Sequence, residues 1–137
     1  MDRLSKERRS WNMGRIRSEN TTPEIRVRSV LHRLGFRFRL HLKGLPGRPD
    51  IVLPKWRHAI FVHGCFWHRH ASCQFSYMPK SRTEFWTAKF EGTIQRDQAA
   101  ERALRDSGWK VTIVWECEIS DKEKLASKLM TAIRGPV

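Results

Sequence analysis

Residues 61–73 read Phe-Val-His-Gly-Cys-Phe-Trp-His-Arg-His-Ala-Ser-Cys. Three imidazoles (His63, His68, His70) and two thiols (Cys65, Cys73) crowd this short stretch, around the aromatic pair Phe66-Trp67. Core packing does not call for so many metal-capable groups. A little upstream, Gly47-Arg48-Pro49-Asp50 sets one carboxylate at the start of an apolar run. Together these groups point to two sites: a hydrolytic centre of hard oxygen and imidazole, and a structural centre built on sulfur.

The sulfur set is Cys65, His70, Cys73 and Cys117, which uses all three cysteines of the chain. Four such ligands suit a closed, tetrahedral structural zinc site. The spacing C-x4-H-x2-C with a distant fourth cysteine is not that of a standard zinc finger. The competing reading is three buried free thiols, a common fate of cysteine. Zinc is preferred because the loop holds too few apolar residues to fix itself. The ion would clamp the loop between the preceding strand and the following helix.

For the hydrolytic set, Asp50 can bind Mg²⁺ as a hard oxygen ligand, and the Val62 carbonyl could supply a second oxygen. Phosphodiester hydrolysis also needs a proton acceptor and an in-line water. His63 and His68 are candidates for acid–base work, because imidazole titrates near neutrality. Glu24 could hold metal-bound waters. Taken alone, an Asp after Pro reads more simply as a turn residue. His32, His41 and His58 read as ordinary surface or packing residues.

Six tryptophans are many for 137 residues. Trp109 and Trp115 fall in a strand-like run and read as core, and Trp56 as packing at a strand entry. Phe66 and Trp67, on a loop fixed by metal, could act as a wedge between DNA bases, joined by Trp86 and Met13. The alternative is a small satellite core around the zinc.

These groups need a scaffold. Thr22 as N-cap, Pro23 in the first turn and Glu24 at the positive end of the dipole predict a helix. Val27, Val30, Leu31 and Leu34 give it one apolar face, and Gly35 ends it. Residues 36–40 alternate apolar and basic as a half-buried strand does. Residues 50–53 and 58–62 read as two further strands. Thr83 to Asp106 reads as a long helix with a flaw at Gly92, capped by Gly108. Residues 109–115 form a fourth strand, and 121–133 a final helix with Leu125, Leu129 and Ile133 on one side. The order is α-β-β-β-α-β-α. The first three strands predict a meander, and the strand–helix–strand unit a right-handed crossover to a parallel neighbour. That topology places Cys65 and Cys117 at the same edge of a small α/β sheet flanked by helices.

The length fits one domain over 1–137, and residues 1–20 read as a polar, basic arm that needs a partner. A net charge of +13, spread along the chain, points to a folded basic face for a polyanion such as nucleic acid. No run is long and apolar enough to span a membrane, and the start Met-Asp-Arg-Leu-Ser-Lys carries no signal-peptide pattern, so a cytoplasmic or nuclear location is expected. In such a reducing compartment disulfides are not expected.

From Arg9 to Glu118 the chain resembles the very-short-patch-repair (Vsr) DNA mismatch endonucleases, within the restriction-endonuclease-like superfamily. The resemblance is carried by Arg9-Ser10-Trp11-Asn12-Met13, Thr22 to Glu24 and Leu45-Pro46-Gly47-Arg48-Pro49-Asp50. It continues through His63-Gly64-Cys65-Phe66-Trp67-His68, Arg82-Thr83-Glu84-Phe85-Trp86 and Val114-Trp115-Glu116-Cys117. It implies a restriction-endonuclease-like α/β fold around a mixed sheet. It also implies a monomeric bacterial enzyme that nicks double-stranded DNA 5′ of the thymine in a T:G mismatch, with mismatch-repair proteins as candidate partners.

On that resemblance Asp50 is the Mg²⁺ carboxylate, the Val62 carbonyl its co-ligand, and Glu24 acts through metal-bound water. His63 and His68 serve the phosphate and the attacking water, with His68 as base. Cys65, His70, Cys73 and Cys117 hold zinc. Phe66, Trp67 and Trp86 insert from the major groove and Met13 from the minor groove. Where the superfamily places an acidic residue, a spacer and a lysine, this chain has Phe61-Val62-His63, the Vsr variation. Two other readings compete: a different nuclease of the superfamily, and a zinc-bearing DNA-binding module without catalysis.

Overall fold

The computed structural model describes residues 20–135; most of the expected N-terminal arm, with Met13, lies outside the described residues. The elements are α1 (Thr22–Arg33), β1 (Arg39–Leu40), β2 (Ile51–Leu53), β3 (His58–His63), α2 (Thr83–Asp106), β4 (Lys110–Trp115) and α3 (Lys122–Arg134). Short 3-10 turns occupy Pro54–Trp56 and Glu116–Glu118. The sheet order is β1-β2-β3-β4: the first three strands form an antiparallel meander, and β4 runs parallel to β3. This is the α/β architecture and strand order expected from the sequence.

Local chemistry sets the helix ends. Thr21, not Thr22, is the N-cap of α1: its Oγ1 accepts from the Glu24 N–H, and Pro23 sits in the first turn. Leu34 closes α1, and Gly35 turns the chain away at φ +86°. Asp121 caps α3 by accepting from the Lys124 N–H at 3.1 Å. α2 runs unbroken through Gly92, so the stripe it packs outweighs the roughly 1 kcal/mol propensity loss of one glycine. The expected strand over residues 36–40 shrinks to Arg39–Leu40, because Phe36 is drawn into the core against Trp56 instead of continuing the pleat.

Each face of the sheet carries its own core. On one, Ile51, Leu53, Ile60 and Val114 pack against Val27, Val30 and Leu31 of α1 and Leu125, Leu129 and Ile133 of α3. On the other, Ala59, Phe61 and Val111 pack against Leu104 of α2. Each fully buried Leu or Ile contributes about 1.5–3 kcal/mol, so these two layers fix the sheet between its helices. Strand periodicity then decides where the chemistry faces. Ala59 and Phe61 face α2, so His63, next in that series, faces α2 as well. Gly47 lets the 45–49 turn lie against α2: it holds φ +72°, and a Cβ there would run into the Ala100 side chain. Among the described residues, no helix is long and apolar enough to cross a membrane.

Candidate functional site

Three groups converge at the end of β3. The first is acidic. Asp50 precedes β2, and its Oδ2 accepts from the Val62 N–H at 2.7 Å. A strand residue points its N–H and C=O to the same side, so the Val62 carbonyl also faces the β2 edge. Extending the register from Ile51↔Ile60 brings Pro49 opposite Val62, and proline has no N–H with which to occupy that carbonyl. Glu24, only 1 % exposed, reaches the same place from α1. Its carboxylate accepts from Arg28 Nη2 and the Asn20 N–H, and lies 2.9 Å from His41 Nε2. Ligand-capable atoms of Glu24, His41 and Asp50 all lie within 4.8 Å of one another.

Burial pushes the Asp50 pKa up to about 7; the Val62 N–H opposes this, and the neighbouring Glu24 carboxyl pushes it further. Two crowded carboxylates, one held at its ionisation point, create a deficit of positive charge that a divalent cation would relieve. The donor set and the spare strand carbonyl fit such an ion.

The second group is basic. His63 is 5 % exposed, and its ring stacks on that of His68 at 3.8 Å with 7° between planes. Its Nδ1 is buried without a hydrogen-bond partner. Burial, followed by the adjacent His68 and against the pull of Asp97, lowers its pKa to about 4, so the ring is neutral at pH 7. His68 Nδ1 lies 2.6 Å from Asp97 Oδ2 on α2. The carboxylate accepts from an Nδ1–H, so in the neutral ring Nε2 is the accepting nitrogen, the arrangement of an oriented general base.

The third group is the sulfur cluster. The loop after β3 is folded back by His68 N–H to Gly64 O and His70 N–H to Cys65 O, at 3.1 and 3.0 Å. Cys117 sits in the 3-10 turn after β4. Glu118 holds that turn by accepting from the Trp115 N–H and from Lys128 Nζ, which also donates to the Ile113 carbonyl. Glu116 accepts from the Cys65 N–H at 3.3 Å and joins the two strand ends. Ligand atoms of Cys65, His70, Cys73 and Cys117 all lie within 4.8 Å of one another. His70 Nδ1 is 3.6 Å from Cys65 Sγ and 3.4 Å from Cys117 Sγ. A tetrahedral ion with nitrogen at about 2.0 Å and sulfur at about 2.3 Å spaces the two atoms by about 3.5 Å, so the cluster fits such an ion. Burial, first among the causes, pushes the Cys65 thiol up to about 12 and raises Cys117 too. Thiolates in this setting need a cation.

The aromatics border these groups. Phe66 meets Trp67, Trp86, Phe90 and Tyr77 with centroids 5.1–5.6 Å apart. Phe66 and Trp86 are half-buried on Phe90, and Trp67 is 37 % exposed. The cluster is thus both a satellite core and an outward aromatic edge. Trp115 is more than strand packing: it stacks on the His70 ring at 4.2 Å and meets the His63 ring edge-on.

Two residues escaped sequence reasoning. Asp97 is a carboxylate in the stripe of α2 that carries Phe90 and Leu104, seven residues from each; an acid within an apolar stripe was the available signal. His41, read from sequence as an ordinary surface or packing residue, instead contacts Glu24 beside Asp50, and nothing in its local sequence marks that. His32 is exposed, and His58 is a buried packing residue bonded to Thr112 Oγ1 at 2.6 Å.

Comparison with known proteins identifies the family of the chain as a whole. Residues 1–74 match the family described as DNA mismatch endonuclease Vsr. The type II nicking enzyme V.XorIIP of Xanthomonas oryzae pv. oryzae is 54 % identical over 128 residues, covering 93 % of each chain. The DNA mismatch endonuclease Vsr of Escherichia coli is 43 % identical over 126 residues, covering 92 % of this chain and 80 % of that protein. In structure, the catalytic domain of the homing endonuclease I-Bth0305I superposes with a TM-score of 0.58 at 23 % identity, covering 82 % of this chain and 94 % of that one. That likeness concerns the fold alone.

Proposed function

The chain belongs to the Vsr family and is a DNA endonuclease; from that premise we propose that it nicks double-stranded DNA 5′ of the thymine in a T:G mismatch, in a Mg²⁺-dependent hydrolysis. One observation carries the mechanism: Asp50, with Glu24 beside it, is bonded to Val62 of β3, and the next residue, His63, stacks on His68, which is paired with Asp97. Hard oxygen donors thus adjoin an oriented imidazole base, the pairing that phosphodiester hydrolysis needs.

In this reading Asp50 and the Val62 carbonyl would hold the Mg²⁺, and Glu24 would act through water bound to it. When bound, the ion neutralises charge on the scissile phosphate. His68, its Nδ1–H directed to Asp97, takes the proton of the attacking water at Nε2. His63, neutral, lies against His68 and faces the phosphate. Cys65, His70, Cys73 and Cys117 hold a structural Zn²⁺ that fixes the loop between β3 and α2. Phe66, Trp67 and Trp86 present the aromatic edge that enters beside the mismatched bases, with Met13 approaching from the other groove. The excess of 13 positive charges serves the phosphate backbone. The enzyme acts as a monomer on DNA in the bacterial cytoplasm, with mismatch-repair proteins as candidate partners.

The test is an Asp50→Ala variant measured for binding and for nicking on T:G duplex. Retained binding with loss of nicking supports the enzyme. Equal nicking by variant and parent would sink the assignment of catalysis to Asp50.

A further inference from the structure

His41 joins the two acidic residues of the site. Its backbone N–H donates to the Asp50 carbonyl at 3.2 Å, and its ring Nε2 lies 2.9 Å from Glu24 Oε1. The other carboxylate oxygen of Glu24 is taken by Asn20 and Arg28, so each oxygen is held from a different direction. His41 makes both contacts from a left-handed backbone at φ +47°, a conformation that residues with a side chain adopt at an energetic disadvantage. It follows directly on β1, whose register with β2 fixes the distance from His41 to Asp50. Strand pairing, an unfavourable φ and a ring-to-carboxylate bond thus converge on one outcome: Glu24 and Asp50 are kept in a set relative orientation.

We propose that His41 is a positioning residue of the acidic metal site, which orients the Glu24 carboxylate against Asp50 and thereby sets the affinity for the divalent cation. This rests on the metal-dependent nuclease reading given above. The ring acts as a hydrogen-bonding strut: with Nε2 directed to Glu24 Oε1, it reaches the ion through Glu24. Outer partners that orient metal-binding carboxylates alter metal affinity or activity by about 10–100-fold. An amide side chain at this position can also offer an N–H to Oε1, whereas a methyl group cannot.

The experiment compares His41→Ala and His41→Gln with the parent protein, all loaded with Zn²⁺. Mn²⁺ binding is measured by electron paramagnetic resonance on the complex with the nicked product duplex, and nicking of the intact duplex is followed over a Mg²⁺ series. His41→Ala is expected to weaken Mn²⁺ by about 10–100-fold and to raise the Mg²⁺ requirement in step. Thermal midpoint and zinc content should be unchanged. His41→Gln should recover most of the affinity. Unchanged Mn²⁺ affinity in His41→Ala overturns the proposal, as does a His41→Gln variant no better than His41→Ala. Failure of the parent protein to nick T:G duplex, with the metal affinity still responding to His41, would remove the mismatch reading and leave this inference standing.

Discussion

Replacing Asp97 by alanine removes the partner of His68 Nδ1 without touching the exposed aromatic edge or the sulfur cluster. The bond is 2.6 Å long, between side chains that are 29 % and 25 % exposed. A charge-assisted hydrogen bond in such a half-buried position contributes about 1.5–3 kcal/mol. If that stabilisation is spent on holding the imidazole and its developing charge in the transition state, losing it slows the chemical step by about 10–150-fold, at 1.36 kcal/mol per tenfold. Asp97→Asn keeps an oxygen that can accept from Nδ1–H but loses the charge. It should therefore retain part of the rate and fall between parent and alanine variant. Single-turnover nicking of an end-labelled mismatched duplex, with saturating enzyme and Mg²⁺, isolates this step from binding. DNA affinity, measured separately in Ca²⁺, should not change. An Asp97→Ala enzyme at the parental single-turnover rate, or one defective only in affinity, would refute the assignment of the pair as an oriented base.

The remaining expectations concern the other groups. Trp67→Ala removes the most exposed member of the wedge. It should weaken binding to a mismatched duplex by about 5–150-fold, since stacking on one base contributes about 1–3 kcal/mol; binding to a perfect duplex should stay within about twofold. Removing Zn²⁺ with a strong chelator should lower the thermal midpoint by about 5 °C or more, while circular dichroism still shows folded helices, because both cores are built without the loop. Buried His58 has its pKa lowered to about 4 from 6.5 by burial and by Lys110 and Arg105. Between those values the unfolded chain binds a proton that the native chain does not. Stability present above pH 6.5 is therefore lost as pH falls towards 4, by at most about 3 kcal/mol. Urea unfolding at pH 7 and pH 5 reads that loss, and a His58→Gln variant should show a shallower one; equal slopes would assign the pH dependence elsewhere.

The scaffold was legible where period and punctuation agree. Val27, Val30 and Leu31, and likewise Leu125, Leu129 and Ile133, follow helical spacing, and both triplets are buried in the same core. The strand–helix–strand reading brought Cys65 and Cys117 to one sheet edge, and they meet there with His70 and Cys73. Legibility failed where tertiary contacts override local pattern. Phe36 alternates correctly for a strand, yet packing against Trp56 takes it out of the pleat. His41 and Asp97 lie 17 and 29 residues from their partners Glu24 and His68. The apolar stripe around Asp97 marks it as unusual without naming its partner, and nothing near His41 marks it at all. Only the packing of α2 across the face of Ala59, Phe61 and His63 brings Asp97 to His68, and only the β1–β2 register brings His41 to Glu24.

On the proposed reading these groups form a strand-specific mismatch nuclease. The most direct test is nicking of end-labelled duplexes that differ only in one pair, T:G against T:A, across a set of flanking sequences with and without Mg²⁺. The expected result is a single Mg²⁺-dependent nick immediately 5′ of the mismatched thymine, in a defined context, with the T:A duplex left intact. Equal cutting of both duplexes, or cutting of both strands, would contradict it.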